Sequence, residues 1–386
     1  MNLDAWLLAA ADAEEAARIT RQLVSVRSYP GEELAIQEAV ADWFVEQGLE
    51  PWLQATIGNR PNVVVRLENG PGPTLMFNGH VDTVLAVDGW TTDPWECHRE
   101  GDQLFGLGAC DMKSGIAAGM LAMRALSRRR ELWQGTLLFT SVVDEEAFSI
   151  GARALIATGL QADTCVVLES NWARPCLGSF GKMLIRADIL GKAAHASWPE
   201  RGTNAAVEAA RLVSALGDLP LGAHPSMVAS LCVLSFHSGS NQYVVTVPET
   251  ATVLINRHHV PGETEQEILE DLRSLASSLD SPASFEFAVE PPYYPPWETP
   301  AAHHFVRHFA AAYLDELGRD PDFSYGGFGD ANLFAGEAGI PTVQFGPDGG
   351  NFHQANEWVS VASIGGTVRV LLRLALRVLP TTKVHG

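Results

Sequence analysis

The chain has 386 residues, 46% of them hydrophobic and 19% charged, which is enough to bury a large core and to form two domains. Its formal charge of −20 at pH 7 argues against a nucleic-acid backbone or an anionic membrane as partner, because both need clustered Lys and Arg. The five cysteines are odd in number and hold no Cys-x-x-Cys pair, so neither a disulfide framework nor a thiolate zinc site is indicated.

The N-terminus carries Asp4 where a secretory signal wants positive charge, and Asp12, Glu14 and Glu15 break its apolar stretch; a cytoplasmic protein is expected. Helical patterning runs to about residue 27, followed by a Pro30-Gly31 turn. A second helix is predicted from Glu32-Glu33, its acidic first turn suiting the helix dipole. Strands are predicted at 62–66 and 74–77 around the Gly70–Pro73 turn. The second ends in Asn78-Gly79, and His80 and Asp82 then stand two residues apart, on one face of an extended segment. Such a pair suits a metal: one ring nitrogen takes the ion while the carboxylate accepts the other N–H.

Residues 85–105 read as a long connection, and Gly106–Gly115 introduces a small-residue helix at 116–126. Gly106 and Gly108 hint at a dinucleotide fingerprint, but its third position falls on Asp111, which would repel a pyrophosphate. The apolar, β-branched runs 136–143 and 164–168 read as interior strands. They lead into Asp144-Glu145-Glu146 and into Glu169, placing acids at the strand ends where open α/β sheets bind their ligands.

From Phe180 the pattern changes: strands at 183–189, 228–236, 243–259 and 284–289 alternate with helices at 204–216 and 263–279. This reads as an α+β domain, 180–291, inserted between the parts 1–179 and 292–386 of a larger α/β domain, with the Pro-rich 290–296 as linker. Helices at 301–317, 330–338 and 362–378 and a strand at 342–345 complete the chain, with His353 in a Gly-rich loop.

His80, Asp82, Asp111, Glu145, Glu146, Glu169 and His353 thus lie at predicted strand ends or in adjacent turns. Carboxylates gathered in one buried region need cations. Two divalent ions meet the need, since three carboxylates and a hydroxide balance four positive charges while two neutral imidazoles complete the shells. Nitrogen and oxygen ligands without sulfur suit zinc, with cobalt or manganese as alternatives.

In these motifs the chain resembles the M20 family of co-catalytic metallopeptidases, which includes acetylornithine deacetylase, succinyl-diaminopimelate desuccinylase, aminoacylase and glutamate carboxypeptidase. The matching segments are Asn-Gly-His80-Val-Asp82, Gly-Ala-Cys-Asp111-Met-Lys, Asp144-Glu145-Glu146, Glu169 and the Gly-Pro...His353 turn. The resemblance implies a mixed-sheet di-metal catalytic domain with an inserted ferredoxin-like lid and dimerisation domain. It assigns His80, Asp111 and Glu169 to one ion and Asp111, Glu146 and His353 to the other. Asp82 orients His80, and Glu145 is the general base for hydroxide attack on an amide. In Gly191-Lys-Ala-Ala-His195 it finds the lid histidine that donates to the oxyanion, acting across a homodimer, and in Arg257 the grip on a substrate carboxylate. The implied substrate is an N-acyl amino acid or small peptide with a free carboxylate.

One departure is Val245, three residues before Pro248, where many members carry Asn; Asn241 or Gln242 could substitute. The pair His304 and His308 lacks the Glu of a His-Glu-x-x-His motif and reads as a solvated helix face. Ser179 lacks the glycine spacing of a nucleophile elbow. A di-metal aminopeptidase or dipeptidase is the alternative enzyme. A non-catalytic amino-acid binder would lack a base or a ligand, and none is missing.

Overall fold

The computed structural model describes residues 2–240 and 244–381. The chain divides into two compact units. The first comprises Met1–Gly178, Glu298–Tyr325 and Gly329–Gly386, the second Ser179–Trp297 with Gly326–Phe328.

The first unit is built on a mixed sheet in which the strands run in the order Pro51–Gln54, Asn62–Asn69, Gly135–Val142, Thr74–His80, Thr164–Val167, Thr342–Gln344 and Cys176–Ser179. Its middle is parallel, from Gly135–Val142 through Thr74–His80 and Thr164–Val167 to Thr342–Gln344. Every residue of Gly135–Val142 is buried, as expected of a strand covered on both faces. Burying each large apolar side chain there contributes about 1.5–3 kcal/mol. Because these central strands are parallel, their carboxyl ends meet along one edge of the sheet.

Helix Ser114–Ser127 packs on that sheet through its small residues. A Cβ on Gly115 would lie 2.1 Å from the Leu168 carbonyl oxygen, so only glycine permits the close approach. The same helix packs against Val361–Val378. At the N-terminus the helical pattern is split in two, Leu3–Ala10 and Ala13–Val24, because Asp12 caps the second helix by accepting from the Glu14 N–H. Glu33 differs from its expected role in a helix first turn. It precedes the helix Leu34–Glu46, is fully buried, and is committed to Arg60 and to the N–H of Gly31. The connection at 85–105 contains a ribbon of two short strands, His98–Glu100 and Gln103–Phe105.

The second unit is a four-stranded antiparallel sheet in the order Ser230–Ser238, Thr250–His259, Gly181–Leu190, Ser284–Tyr294. One face is covered by helices Ala205–Ala215 and Glu265–Ser278, the latter started by a Thr264/Glu267 capping box. Met183, Ile185, Ala187 and Ile189 point to the helices together with Ala251, Val253 and Ile255. The Pro-rich segment read as a linker belongs largely to the last strand. Pro291 and Pro292 sit at an irregularity between Glu290 and Tyr294 on an edge strand, where a missing N–H costs little. Asn241–Tyr243, which includes both side chains offered in place of Val245, lies outside the described residues.

Candidate di-metal site

Each parallel strand of the first unit delivers a ligand-type side chain just past its end. Thr74–His80 ends on His80 itself, Gly135–Val142 runs into Glu145 and Glu146, Thr164–Val167 into Glu169, and Thr342–Gln344 leads to the loop of His353. Asp111 comes from the irregular segment Ala109–Lys113 before helix Ser114–Ser127.

Asp111 occupies the centre. Its Oδ1 is 3.3 Å from His80 Nε2 and its Oδ2 is 3.3 Å from His353 Nε2. On the Oδ1 side, Glu169 Oε1 is 3.6 Å from His80 Nε2; on the Oδ2 side, Glu146 Oε1 is 3.2 Å from His353 Nε2. Ligand atoms of His80, Asp111 and Glu146 all fall within 4.8 Å of one another. His80 Nε2 is buried and makes no hydrogen bond, an orphan that only a metal or a proton shared with these acids would satisfy. Its other nitrogen, Nδ1, lies 3.0 Å from the main-chain carbonyl of Asp82, which makes Nδ1 the protonated nitrogen and leaves the Nε2 lone pair for an ion. The Asp82 carboxylate stands farther off, 3.6 Å from Nδ1, and its Oδ2 accepts the Glu146 N–H at 2.9 Å. Asp82 thus fixes both the His80 ring and the backbone of Glu146.

The turn bearing Glu145 and Glu146 is held by a network that periodicity could not reveal. Asp144 adopts a left-handed conformation, φ 69°, tolerable for Asp when its side chain is tied down. Here its Oδ2 accepts the Phe148 N–H at 3.1 Å, and its other oxygen pairs with Arg60, which also binds Glu33. His353 is left-handed as well, φ 57°, and half exposed.

Electrostatics follow from this crowding. Burial alone would favour a neutral His80 ring, but Asp111, Asp82 and Glu169 outweigh it and raise its pKa well above the usual range. Hydrogen bonds to Asp111 and Glu146 push His353 up to about 10. Burial would raise Asp111, yet His353 and His80 hold it below the ordinary carboxylate range. Glu145 and Glu169 are both raised, first by burial and then by neighbouring carboxylates, against the pull of His80. Divalent cations would reverse the upward shifts by replacing protons and would hold Asp111 ionised as the histidines do. The donor set therefore fits a pair of divalent ions.

Two residues absent from the sequence reading join the site. Asp330, 2% exposed, is pushed up to about 7 by burial, with Asp82 and Glu169 adding to the rise and His80 opposing it. The other is Glu357, 2% exposed, whose carboxylate accepts from main-chain N–H groups on either side of Asp111. Glu357 lies in a loop and Asp330 at the first position of a short helix, where no periodic signal marks a buried polar residue.

His195 and Arg257 belong to the second unit. His195 is exposed, and its Nδ1 accepts the Ser197 N–H at 3.1 Å, so the proton resides on Nε2. Arg257 departs from its expected role as a carboxylate grip. It shares the helix-covered face with Val253 and Ile255, is 3% exposed, and its guanidinium is taken by Glu263 and by the His258 carbonyl. The strand's alternation puts Asn256 and His258 on the other face, where His258 stacks on Phe180 at 4.5 Å and lies opposite Lys182 in register.

The sequence model of peptidase family M20/M25/M40 matches residues 76–377. Succinyl-diaminopimelate desuccinylase of Paracoccus denitrificans (strain Pd 1222) is 29% identical over 332 residues, covering 82% of this chain and 86% of that protein. Among solved structures, aminopeptidase PepT from Bacillus cereus ATCC 10987 superposes with a TM-score of 0.77 at 25% identity, over 95% of this chain and 99% of PepT. The Bacillus subtilis YXEP protein, described as a dinuclear metal binding peptidase, has a TM-score of 0.73 at 18% identity, over 95% and 98% of the two chains.

Proposed function

We propose that this chain, which belongs to peptidase family M20/M25/M40, hydrolyses the amide bond of an N-acyl amino acid or small peptide bearing a free carboxylate. The observation that carries the reading is the division of Asp111 between two histidines, each 3.3 Å from a different carboxylate oxygen. His80, Asp111 and Glu169 would hold one ion, and Asp111, Glu146 and His353 the other, with zinc the first choice on donor type and cobalt or manganese the alternatives. When bound, the ions lower the pKa of water and polarise the scissile carbonyl. Glu145 takes the proton from the attacking water and passes it to the leaving nitrogen. His195, with its Nε2–H exposed, donates to the developing oxyanion.

With Arg257 committed to Glu263, the carboxylate falls to another cation. Lys182 lies on the face of the second sheet away from the helices, its Nζ 4.5 Å from the centre of the Phe328 ring, with no ion-pair partner among the described residues. A panel of N-acetyl and N-succinyl amino acids, dipeptides and tripeptides, each beside its carboxamide analogue, tests the proposal. Wild type is expected to cleave at least one acid and to prefer it to its amide. Lys182→Met should lose roughly one to two decades of kcat/KM on the acid alone. Arg257→Ala should keep the preference and instead lose stability, on the order of 3 kcal/mol, because Glu263 loses its charge partner and is left with the N–H groups of Gly222 and Val260. Preference lost in Arg257→Ala and kept in Lys182→Met would reverse the assignment, and cleavage of peptides alone would favour the aminopeptidase reading that the PepT likeness suggests.

The strand Ser230–Ser238 is a sheet edge bearing Leu234 and Phe236, 55% and 43% exposed, which supports pairing with a second copy of the chain. His195 would then act on the partner's site. Heterodimers of His195→Ala and Glu145→Gln, formed by subunit exchange, are expected to regain part of the activity that each homodimer lacks; silent heterodimers would count against action in trans. No helix among the described residues is long and apolar enough to cross a membrane, and a cytoplasmic location forms part of the same reading.

A further inference from the structure

Four residues after His353, Glu357 reaches into the segment that carries Asp111, 246 positions away in sequence. Its Oε2 accepts the N–H of Gly108 at 2.9 Å, and its Oε1 accepts those of Cys110 at 2.7 Å and Asp111 at 3.0 Å. Its own carbonyl accepts the Gly106 N–H at 3.0 Å. One residue thus satisfies four N–H groups within six positions. The three that converge on the carboxylate form a concave anion seat of the kind successive backbone amides make. A second tie runs beside it: strand Trp358–Ser360 pairs with Gln103–Phe105 on one side and with Gly349–Gly350 on the other. Gly349 in turn packs so closely on Cys110 that a Cβ there would lie 2.2 Å from the sulfur.

We propose that Glu357 is a positioning residue that locks the Asp111 segment and the His353 loop into one piece, fixing Asp111 so that each of its oxygens faces a different histidine. The inference rests on the di-metal reading of the site. It follows from geometry: Asp111 is aimed by its own backbone, and that backbone is hydrogen-bonded through the Asp111 N–H to Glu357. A carboxylate is required because it offers two acceptor oxygens and no donor. Gln at 357 would turn an NH2 group toward at least one of the same N–H groups, and the seat would have to open. Lys113, fully buried two residues beyond Asp111, donates to the Val26 carbonyl at 3.0 Å and anchors the far side of the segment, so an opened seat displaces Asp111 rather than the helix behind it.

The test compares wild type, Glu357→Gln and Glu357→Asp as full chains loaded with Co(II). Folding is checked by circular dichroism, affinity by chelator competition, and ligand geometry by the visible Co(II) spectrum. Glu357→Gln is expected to fold, to bind the ions about 10–100-fold more weakly, and to show an altered spectrum, with kcat falling more than KM changes. Glu357→Asp, which keeps two acceptors on a shorter arm, should recover part of the affinity. Wild-type affinity and spectrum in Glu357→Gln would overturn the inference. So would failure of both variants to fold, since Glu357 would then serve the fold and not the aim of Asp111. If only Glu357→Gln fails to fold, an unchanged affinity and spectrum in Glu357→Asp overturns it, and weakened binding with an altered spectrum supports it. A wild type that binds no Co(II) would instead defeat the di-metal reading itself.

Discussion

Glu145→Gln is expected to retain two ions per chain while losing roughly two or more decades of kcat. Glu145 is the acid of the cluster set back from the ligand positions: its Oε2 is 3.9 Å from His80 Nε2, against 3.3 Å for Asp111 and 3.6 Å for Glu169. It also lies against Gly329, where a Cβ would come within 2.2 Å of Glu145 Oε1, so only glycine at 329 leaves room for the carboxylate. Gln keeps the volume and removes the basicity, and it takes one negative charge out of a buried group of acids, which should leave folding stability unchanged or slightly higher. Glu146→Gln is the control. Its Oε1 is 3.2 Å from His353 Nε2 on the Asp111 Oδ2 side, and its loss should deplete metal. Elemental analysis beside turnover separates the two, and an emptied site in Glu145→Gln would make that residue a ligand.

Withdrawing the ions with a chelator is expected to abolish turnover and to open a gap in melting temperature between loaded and stripped protein that widens as pH rises from 5 to 8. The sign follows from the direction of the shifts. Glu145 and Glu169 are raised above 4.5 and Asp330 from 3.8 to about 7, so the stripped fold holds protons that the unfolded chain has released. Their contribution is complete below the unfolded values and is lost as pH climbs through the folded ones. The histidines act in the same sense at higher pH: His353, raised from 6.5 to about 10, stabilises fully below 6.5 and progressively less above it. Asp111 is shifted the other way, but its contribution is already present above 3.8 and stays constant across the window. Bound ions replace those protons and grow tighter as the competition fades. A widening on the order of several degrees by scanning fluorimetry is expected. A gap that stays flat or narrows would mean that these carboxylates are neutralised by something other than metal.

The catalytic half of this molecule was legible where function coincides with a change of pattern. His80, Glu145, Glu146 and Glu169 each follow an apolar run, and a run that stops abruptly at an acid or a histidine is visible without any partner in view. Arg257 shows the limit of such reading. Alternation says that 257 and 258 face opposite ways but not which face the helices cover. The deciding clue was the shared parity of Arg257 with Ala251, Val253 and Ile255, whose burial marks the covered side. The Pro-rich 290–296 reads as a linker from its composition alone, and the tolerance of an edge strand for proline cannot be seen before the sheet order is known. The roles of Glu33, Arg60, Asp144 and Glu357 escape sequence reading for another reason. Each owes its role to a partner across a turn or far along the chain, and no local spacing encodes that meeting.

The sheet order has a consequence for how the protein is made. Strand Thr342–Gln344 fills the slot between Thr164–Val167 and Cys176–Ser179, although it is synthesised about 165 residues after them. Until the ribosome has passed that point, the nascent chain carries two half-finished strand edges with a gap between them. The second unit, by contrast, is almost entirely one uninterrupted stretch whose sheet can close while the first waits. A chain arrested between Glu169 and His353 would already carry His80, Asp111, Glu146 and Glu169, four of the five proposed ligands, without the histidine that completes the second set. On the proposed assignment, the second ion's ligand set is completed only near the end of translation, and a truncated product would be left with exposed strand edges that invite aggregation.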